Sequence, residues 1–398
     1  MGGKQGDDRA ATNPIFGENR LKLGTFCNNS AMPQMSLARE RYNPTWERSK
    51  AIAGRVNAMG MEAILSLATW RGPIWGDARH CSNREFEPFT WAAALSALST
   101  HASVIPTFHV KLMKPAFVAK AVATIDHITG GRAALNIVAG NTEVAYAQFG
   151  ETMEDPIARY EHVTEFTEVL KKFWTEVDEF EFDGRFQRVR AGASLPKPVQ
   201  KPHPPIINAG ASEPGRQYIA KHADVCFTHI KPDEASWEPQ FASYRKLAFD
   251  EYRRTVQVWS HGYVVVQPTE REAEDYLRWY AEEQADHPWV DGWLSKLRAG
   301  VQELRPSQAL YMSKNWAAGG GFPLVGTPEK VVDILLQLSR AGLDGMLLTA
   351  LEPEKMLDSW ASDVMPLIEQ AGLRKPFKAP AHRGTSTAAA VAGQPSSQ

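Results

Sequence analysis

The chain has 398 residues, of which 43% are hydrophobic, and its 44 Lys and Arg against 46 Asp and Glu leave a formal net charge of −2. A near-neutral chain of this length lacks the strongly basic character on which nucleic-acid binding depends, and it can form two ordinary domains or one large barrel. Its apolar runs, such as residues 92–97 and 206–211, are far shorter than the roughly 18 to 20 residues of a membrane span, so we expect no membrane segment.

The N-terminal segment, residues 1–18, is rich in Gly, Asp and Asn, and we predict that it is disordered and is not a secretory signal. After it, short apolar runs alternate with stretches of helical periodicity. The first three predicted units are strand 21–28 with helix 45–59, strand 62–68 with helix 88–99, and strand 103–110 with helix 115–129. Pro115 suits the first position of the third helix, and Gly130 suits its end.

The alternation continues through five further units, with one interruption. The predicted units are strand 133–139 with helix 158–174, strand 205–210 with helix 213–222, strand 224–230 with helix 232–252, strand 256–266 with helix 270–285, and strand 345–350 with helix 354–371. Residues 286–325 form an insertion before a helix at 327–341, and Gly319 to Gly321 within it indicate either a mobile lid or a disordered linker. Residues 374–398 are predicted to be a disordered tail.

Eight strands alternating with helices predict an α/β fold of the (β/α)8 or TIM-barrel type with insertions, formed by one domain over residues 19–373. A doubly wound open sheet is the alternative. The three cysteines are widely spaced, which argues against disulfides and favours a reducing, cytoplasmic location.

In a barrel, functional residues lie at the carboxyl ends of the strands. These ends are polar but offer no pair of carboxylates and no metal-ligand cluster, so we expect no metal site. The sequence also has no Gly-x-Ser-x-Gly elbow, no phosphate loop and no Gly-x-Gly-x-x-Gly turn. The pattern favours a site that holds a cofactor through neutral hydrogen bonds.

Five residues stand at informative positions along this edge. Ser212 follows the fifth strand and begins a helix, so it either caps that helix or helps to bind an anion such as phosphate. Arg159 and Tyr160 begin the helix after the fourth strand, where a surface Arg and a half-buried core Tyr are the alternative. Thr107 and His109 alternate on the third strand and so face one side, either as packing residues or as site residues.

Aromatic residues flank the loop after the second strand. Trp70 and Trp75 either form the wall of a pocket for a flat ligand or lie on the surface of a loop.

Residues 123–140, Ala-Thr-Ile-Asp-His-Ile-Thr-Gly-Gly-Arg-Ala-Ala-Leu-Asn-Ile-Val-Ala-Gly, resemble the signature of the bacterial-luciferase-like flavin monooxygenases. Further similar motifs are Arg159-Tyr160, residues 201–212 and residues 325–331. The resemblance extends from about residue 21 to about residue 373. It is strongest for the two-component branch with alkanesulfonate, dimethylsulfone and pyrimidine monooxygenases.

This resemblance implies an enzyme that takes reduced flavin mononucleotide (FMNH2) from a separate NAD(P)H:flavin reductase and uses dioxygen to oxygenate a small organic molecule. A homodimer or homotetramer is also expected. A deazaflavin- or flavin-dependent hydride-transfer enzyme of the same superfamily is one alternative, and a flavin-binding barrel without catalysis is another.

The resemblance also assigns roles by position. Ser212, Arg159 and Tyr160 resemble flavin-binding residues, and Ala68 and Thr69 resemble those that pass close to the flavin ring.

Asn136 resembles an Asn that faces the flavin, and Thr107 resembles a Thr that handles oxygen together with it. This pair favours oxygen transfer through flavin N-5, and we place His109 beside the pair among the catalytic residues.

Two departures bear on the substrate. Pyrimidine oxygenase has Lys where Thr69 stands and Glu where Ala145 stands, which argues against uracil. The sequence shows no evident cluster of Arg residues for a sulfonate. An amide, heterocycle, sulfone or haloaromatic is therefore the predicted substrate.

Overall fold

The computed structural model describes residues 7–72, 77–140, 143–298 and 306–378, and its main feature is a sheet of parallel strands that closes into a barrel. The strands in chain order are β1 (Lys22–Phe26), β2 (Ala63–Leu65), β3 (Ser103–Ile105), β4 (Thr107–His109), β5 (Leu135–Val138), β6 (Phe180–Asp183), β7 (Arg188–Gly192), β8 (Ile206–Asn208), β9 (Val225–Phe227), β10 (Gln257–Val266), β11 (Phe322–Gly326) and β12 (Gly345–Thr349). The barrel order is β3-β2-β1-β12-β10-β9-β8-β5-β4, which confirms the predicted fold class.

Helices cover the outside of this barrel. They are α1 (Trp46–Ala58), α2 (Pro88–Ser96), α3 (Pro115–Thr129), α4 (Glu143–Ala147), α5 (Pro156–Thr175), α6 (Glu213–His222), α7 (Trp237–Tyr252), α8 (Glu270–Arg278), α9 (His287–Arg298), α10 (Pro306–Ala318), α11 (Pro328–Arg340), α12 (Pro353–Ser359) and α13 (Met365–Gln370). Their apolar faces pack on the strands and form the largest hydrophobic core. No helix in these ranges is both long enough and apolar enough to cross a membrane.

The third barrel strand is one extended segment divided at Pro106. Proline has no N–H to donate to a neighbouring strand, so the ladder is interrupted there and β3 and β4 are separate. β3 pairs with β2, whereas β4 pairs with β5 in a register that sets Thr107 opposite Asn136. Because this one segment pairs with β2 through β3 and with β5 through β4, it closes the barrel. The register of β4 and β5 brings two predicted site residues side by side.

The predicted boundaries of α3 agree with its chemistry. Pro115 occupies the first turn, where a missing N–H breaks no helical hydrogen bond. Gly130 ends the helix with a φ of 65°, a left-handed conformation that favours glycine.

The folded part begins earlier than the predicted residue 19. Short 3-10 turns form at Arg9–Ala11 and Pro14–Phe16, and Ile15 is fully buried among residues that point into the barrel. Arg9 pairs with the buried Asp224 at 3.1 Å. Residues 7–18 therefore close the amino-terminal end of the barrel and are ordered.

The folded part also extends beyond residue 373. Arg374 and Glu62 form an ion pair of 2.6 Å in which each side chain is only 2% exposed. Arg374 also donates to the carbonyls of Leu21 and Gly60. The predicted tail therefore begins too early, while residues 379–398 lie outside the described ranges.

Two further elements differ from the predicted pattern. β6 and β7 form an antiparallel hairpin within the segment between α5 and β8, and β11 adds to the barrel sheet beside β10. In the insertion, α9 and α10 precede β11. Gly319 and Gly320 have φ values of 134° and 71°, so they form the turn between α10 and β11.

Candidate active site

A cavity of about 890 Å³ opens at the carboxyl ends of the barrel strands, where the fold predicts a site. Its wall is apolar for the most part. The predicted site residues that line it are Ala68, Thr69, Thr107, His109, Asn136 and Tyr160. Ser212 and Arg159 are not among the lining residues, and Ser212 is exposed at the start of α6. Trp75 lies outside the described residues, and Trp70 packs edge-on against Phe149, 4.9 Å between ring centroids.

Three residues at the bottom of the cavity form a chain of hydrogen bonds. Ser66 Oγ accepts from the Thr107 backbone N–H at 2.9 Å, and Thr107 Oγ1 donates to the Ser66 carbonyl at 2.6 Å. Asn136 Nδ2 in turn donates to Thr107 Oγ1 at 3.0 Å. The hydroxyl proton of Thr107 is therefore directed to a neighbouring carbonyl and away from the cavity.

This chain fixes the orientation of the Asn136 amide. Because the single proton of Thr107 is used on Ser66, its oxygen can only accept from Asn136, so the amide nitrogen must face it. Asn136 Oδ1 is buried and has no hydrogen-bond partner in the structure. Asn136 thus lines the cavity and carries a buried, unpaired acceptor.

His109 supplies a second unpaired atom on the same wall. Its Nδ1 is buried without a partner, and its ring stacks on Tyr146. Burial lowers the pKa of His109 to about 4, and the Ala68 carbonyl only partly opposes this. The imidazole is therefore neutral at physiological pH and cannot act as a cationic acid.

Two further histidines lie on the cavity wall near the insertion. The rings of His229 and His261 are 5.1 Å apart, and that of His229 also meets Trp316. Burial lowers the pKa of both, and the value for His261 falls to about 3. These histidines contribute polarity without charge.

Thr69 is anchored from behind the cavity wall by Glu85. The Thr69 backbone N–H and hydroxyl donate to this carboxyl group at 3.0 and 2.6 Å. Burial raises the pKa of Glu85 to about 7, although the hydrogen bonds from Thr69 act in the opposite direction. Glu85 therefore changes its charge near neutral pH.

Tyr160 lies over the turn that leads from β8 into α6. A methyl group placed on Gly210 would lie 2.6 Å from the Tyr160 hydroxyl, and one on Gly215 would lie 2.7 Å from it. Burial raises the pKa of Tyr160 to about 12, so the phenol keeps its proton. Tyr160 and the start of α6 together present donors to an anion.

Ser212 and Arg159 support this region from outside the cavity. Ser212 is the N-cap of α6 and accepts from Gly215 N at 3.4 Å, which leaves its own hydroxyl proton free to donate. Arg159 donates to the Gly140 carbonyl at 2.6 Å. Arg159 therefore holds the backbone at Gly140, just after β5.

Three cationic residues on the cavity wall escaped the sequence-based prediction: Arg71, Arg216 and Lys231. Arg216 donates to Ser243 Oγ at 3.0 Å and lies over the ring of Tyr244. A signal for Arg216 was available, because it stands four residues after Ser212 and so on the same side of the helix. The loop positions of Arg71 and Lys231 carried no such signal.

A cluster of His80, Cys81 and Asp286 brings potential metal-ligand atoms within 4.8 Å of one another outside this cavity. His80 Nε2 lies 2.9 Å from Asp286 Oδ2, while Arg41 Nη1 donates to Cys81 Sγ at 2.6 Å. The Cys81 sulfur already has a hydrogen-bond donor in Arg41, and His80 is bound to Asp286. We therefore interpret these contacts as a hydrogen-bond network between separate loops.

Comparison with known proteins identifies relatives over most of the chain. Residues 21–345 match the family model described as luciferase-like monooxygenase. The FMNH2-dependent dimethylsulfone monooxygenase of Pseudomonas putida is 28% identical over 333 residues, which cover 81% of this chain and 88% of that protein. The pyrimidine monooxygenase RutA of Acinetobacter baylyi is 27% identical over 361 residues, covering 87% and 95%.

Among solved structures, that of riboflavin lyase RcaE with modified FMN and riboflavin superposes with a TM-score of 0.79 at 23% identity, over 89% of this chain and 93% of that one. At this level of identity, the likeness supports the barrel fold.

Proposed function

Because the chain belongs to the family of luciferase-like monooxygenases, we propose that it uses FMNH2 and dioxygen to oxygenate a small organic substrate. A separate NAD(P)H:flavin reductase supplies the reduced flavin. An amide, heterocycle, sulfone or haloaromatic is the substrate class. When bound, reduced flavin supplies the two electrons with which dioxygen is divided between the substrate and water.

The observation that carries the proposal is the pair of unpaired buried atoms, Asn136 Oδ1 and His109 Nδ1, on one cavity wall. A buried polar atom without a partner costs about 1 to 3 kcal/mol, so a ligand that enters the neighbouring cavity and completes the hydrogen bonding of such atoms is favoured. The ring system of FMN carries N–H groups, and reduction adds one at N-5. An acceptor such as Asn136 Oδ1 therefore fits the reduced form better.

The cavity also fits the remainder of FMN. Its volume of about 890 Å³ lies near the upper end of the roughly 300 to 1,000 Å³ typical of ligand pockets, which leaves space for a second small molecule. Tyr160, Ser212 and the N-terminus of α6 hold the phosphate, and Arg216 adds a positive charge one turn further along. Ala68 and Thr69 lie against the ring.

The residues of this chain then orient the flavin, keep acidic protons away from the reaction and exclude water from the cavity. Asn136 donates to Thr107 and Thr107 donates to Ser66, and these hydrogen bonds hold the Asn136 acceptor in place. His109 stays neutral, because burial keeps its pKa near 4, so it supplies no acidic proton that would release hydrogen peroxide. Trp293 and Trp316, from the insertion, add apolar area that excludes water.

The test is anaerobic binding followed by exposure to labelled oxygen. FMNH2 should bind more tightly than FMN, and on addition of ¹⁸O2 one labelled atom should enter a substrate from the predicted class, as measured by mass spectrometry. Asn136→Ala should weaken FMNH2 binding more than FMN binding. Oxidation of a substrate by deazaflavin with no label incorporated would instead establish the hydride-transfer alternative.

A further inference from the structure

Arg71 places a half-buried positive charge on the cavity wall without a partner. Within the described ranges, its side chain has no hydrogen bond or ion pair, and no Asp or Glu lines the cavity. A guanidinium in a largely apolar cavity is stabilised by a carboxylate or phosphate whose two oxygens accept from its two parallel N–H groups. The position therefore fits an anionic ligand.

The loop around Arg71 is held in place on both sides. Trp70 has a φ of 58°, a left-handed conformation that costs a non-glycine residue about 1 kcal/mol or more. Its carbonyl accepts from Gln148 Nε2 at 3.2 Å, and the N–H of Gly72 donates to Asn83 Oδ1 at 2.9 Å. The charge of Arg71 is therefore presented to the cavity by an ordered backbone.

Arg71 lies away from the end of the cavity that fits the flavin phosphate. It follows β2, whereas Arg216 follows β8 and Lys231 follows β9. In the barrel order, β1, β12 and β10 separate β2 from β9, so β2 and β9 lie on opposite sides of the barrel mouth. Arg216 and Lys231 can serve the phosphate, and Arg71 remains for a different anion.

The apolar wall beside Arg71 indicates the rest of that ligand. Leu67 belongs to the same loop and packs in one cluster with Met32, Trp293 and Trp316. All four line the cavity. A ligand held by Arg71 would therefore lay an apolar, aromatic or branched body on these side chains.

We propose that the substrate of this enzyme is an apolar carboxylic acid, or a comparable oxyanion, whose charged group is bound by Arg71. This inference rests on the proposed function, because it concerns the substrate end of the same cavity. It narrows the predicted haloaromatic and heterocyclic substrates to those that carry an acidic group. The absence of an evident Arg cluster in the sequence had argued against a strongly anionic sulfonate.

The test compares acids with uncharged partners of the same shape. Benzoate, 4-chlorobenzoate and isovalerate are each paired with the primary amide and the methyl ester, and binding is followed by tryptophan fluorescence with and without FMNH2 under anaerobic conditions. The wild type should bind each carboxylate at least about 10-fold more tightly than its partners. Arg71→Met should abolish this preference, Arg71→Lys should keep part of it, and FMNH2 affinity should not change.

Arg84→Gln is the matched control, because Arg84 is exposed on the neighbouring loop and does not line the cavity. It should keep the full preference for acids. A wild type that binds amides or esters as tightly as acids would overturn the proposal, as would an Arg71→Met variant that keeps the acid preference. Because binding is measured without oxygen, failure to incorporate ¹⁸O would count against the proposed function alone.

Discussion

Replacing Thr107 with Val tests whether the hydrogen bonds that join Asn136, Thr107 and Ser66 position the flavin. Valine keeps the branched shape but removes the hydroxyl, so the Ser66 carbonyl loses its 2.6 Å donor and Asn136 Nδ2 loses its 3.0 Å acceptor. Each lost hydrogen bond costs about 1 kcal/mol, and the buried amide nitrogen adds a desolvation penalty. The free energy of unfolding should therefore fall by about 2 kcal/mol.

The functional effect follows from the freed Asn136 amide. Once it can turn, Oδ1 no longer holds a fixed position, and the preference for FMNH2 over FMN should fall by the equivalent of one neutral hydrogen bond, about 2- to 12-fold. Anaerobic titrations with each form of the flavin measure this change. Single-turnover reactions with dioxygen should also release more hydrogen peroxide and less oxygenated product.

Thr107→Ser is the control, since serine keeps the hydroxyl and loses one methyl group. It should retain most of the flavin preference and of the coupling to product. If Thr107→Val kept native flavin preference and native coupling while its stability fell as expected, Thr107 would be a packing residue, and the role of this hydrogen-bond chain would be refuted.

Three further predictions concern the phosphate end, pH and stability. Ser212→Ala should raise the Kd for FMNH2 about 5- to 100-fold if its hydroxyl donates to the phosphate. Arg159→Ala should instead lower mainly the thermal stability, because the Arg159 guanidinium is bound to the Gly140 carbonyl. Equal changes in Kd for the two variants would contradict this division of roles. Burial raises the pKa of Glu85 from 4.5 to about 7, so its contribution to stability is fully present below pH 4.5 and is lost as pH rises to above 7. Urea unfolding at pH 5 and pH 8 should therefore show a larger loss of unfolding free energy for the wild type than for Glu85→Gln, by at most about 3 kcal/mol. Equal losses in the two proteins would rule out this role of Glu85. Arg374→Met should lower the unfolding free energy by about 3 to 5 kcal/mol, because the buried Glu62 carboxylate loses its cation and keeps only its hydrogen bonds from Asn19 and Leu23; adding Glu62→Leu should recover part of the loss, and additive losses would show that the two residues are not coupled.

The barrel could be predicted from sequence because its signal is local. A buried parallel strand is a short apolar run, and each covering helix has its own periodicity and end signals, as Pro115 and Gly130 show. The hairpin of β6 and β7 was missed because its strands lie at the surface and are rich in charged residues. The order of residues 7–18 was missed because the burial of Ile15 depends on contacts with distant strands.

At the site, the positions of Thr107 and Asn136 were predictable, but the direction of their hydrogen bonds was not. We expected Thr107 to handle oxygen together with Asn136, whereas its hydroxyl donates to the Ser66 carbonyl. That direction depends on the carbonyl of a different strand. Likewise, the sequence shows where cations such as Arg71 stand but does not show which of them lack partners.

The burial of Ile15 in the barrel has a consequence for the order of events in a catalytic cycle. With residues 7–18 filling one end of the barrel, the carboxyl end is the route into the cavity in the described part of the chain. In a passage with one entrance, the molecule that lies deepest must arrive first and leave last. The flavin, if it occupies the bottom beside Asn136, would therefore load before the substrate and wait for the product to depart, so excess substrate should slow each new round by blocking the way in.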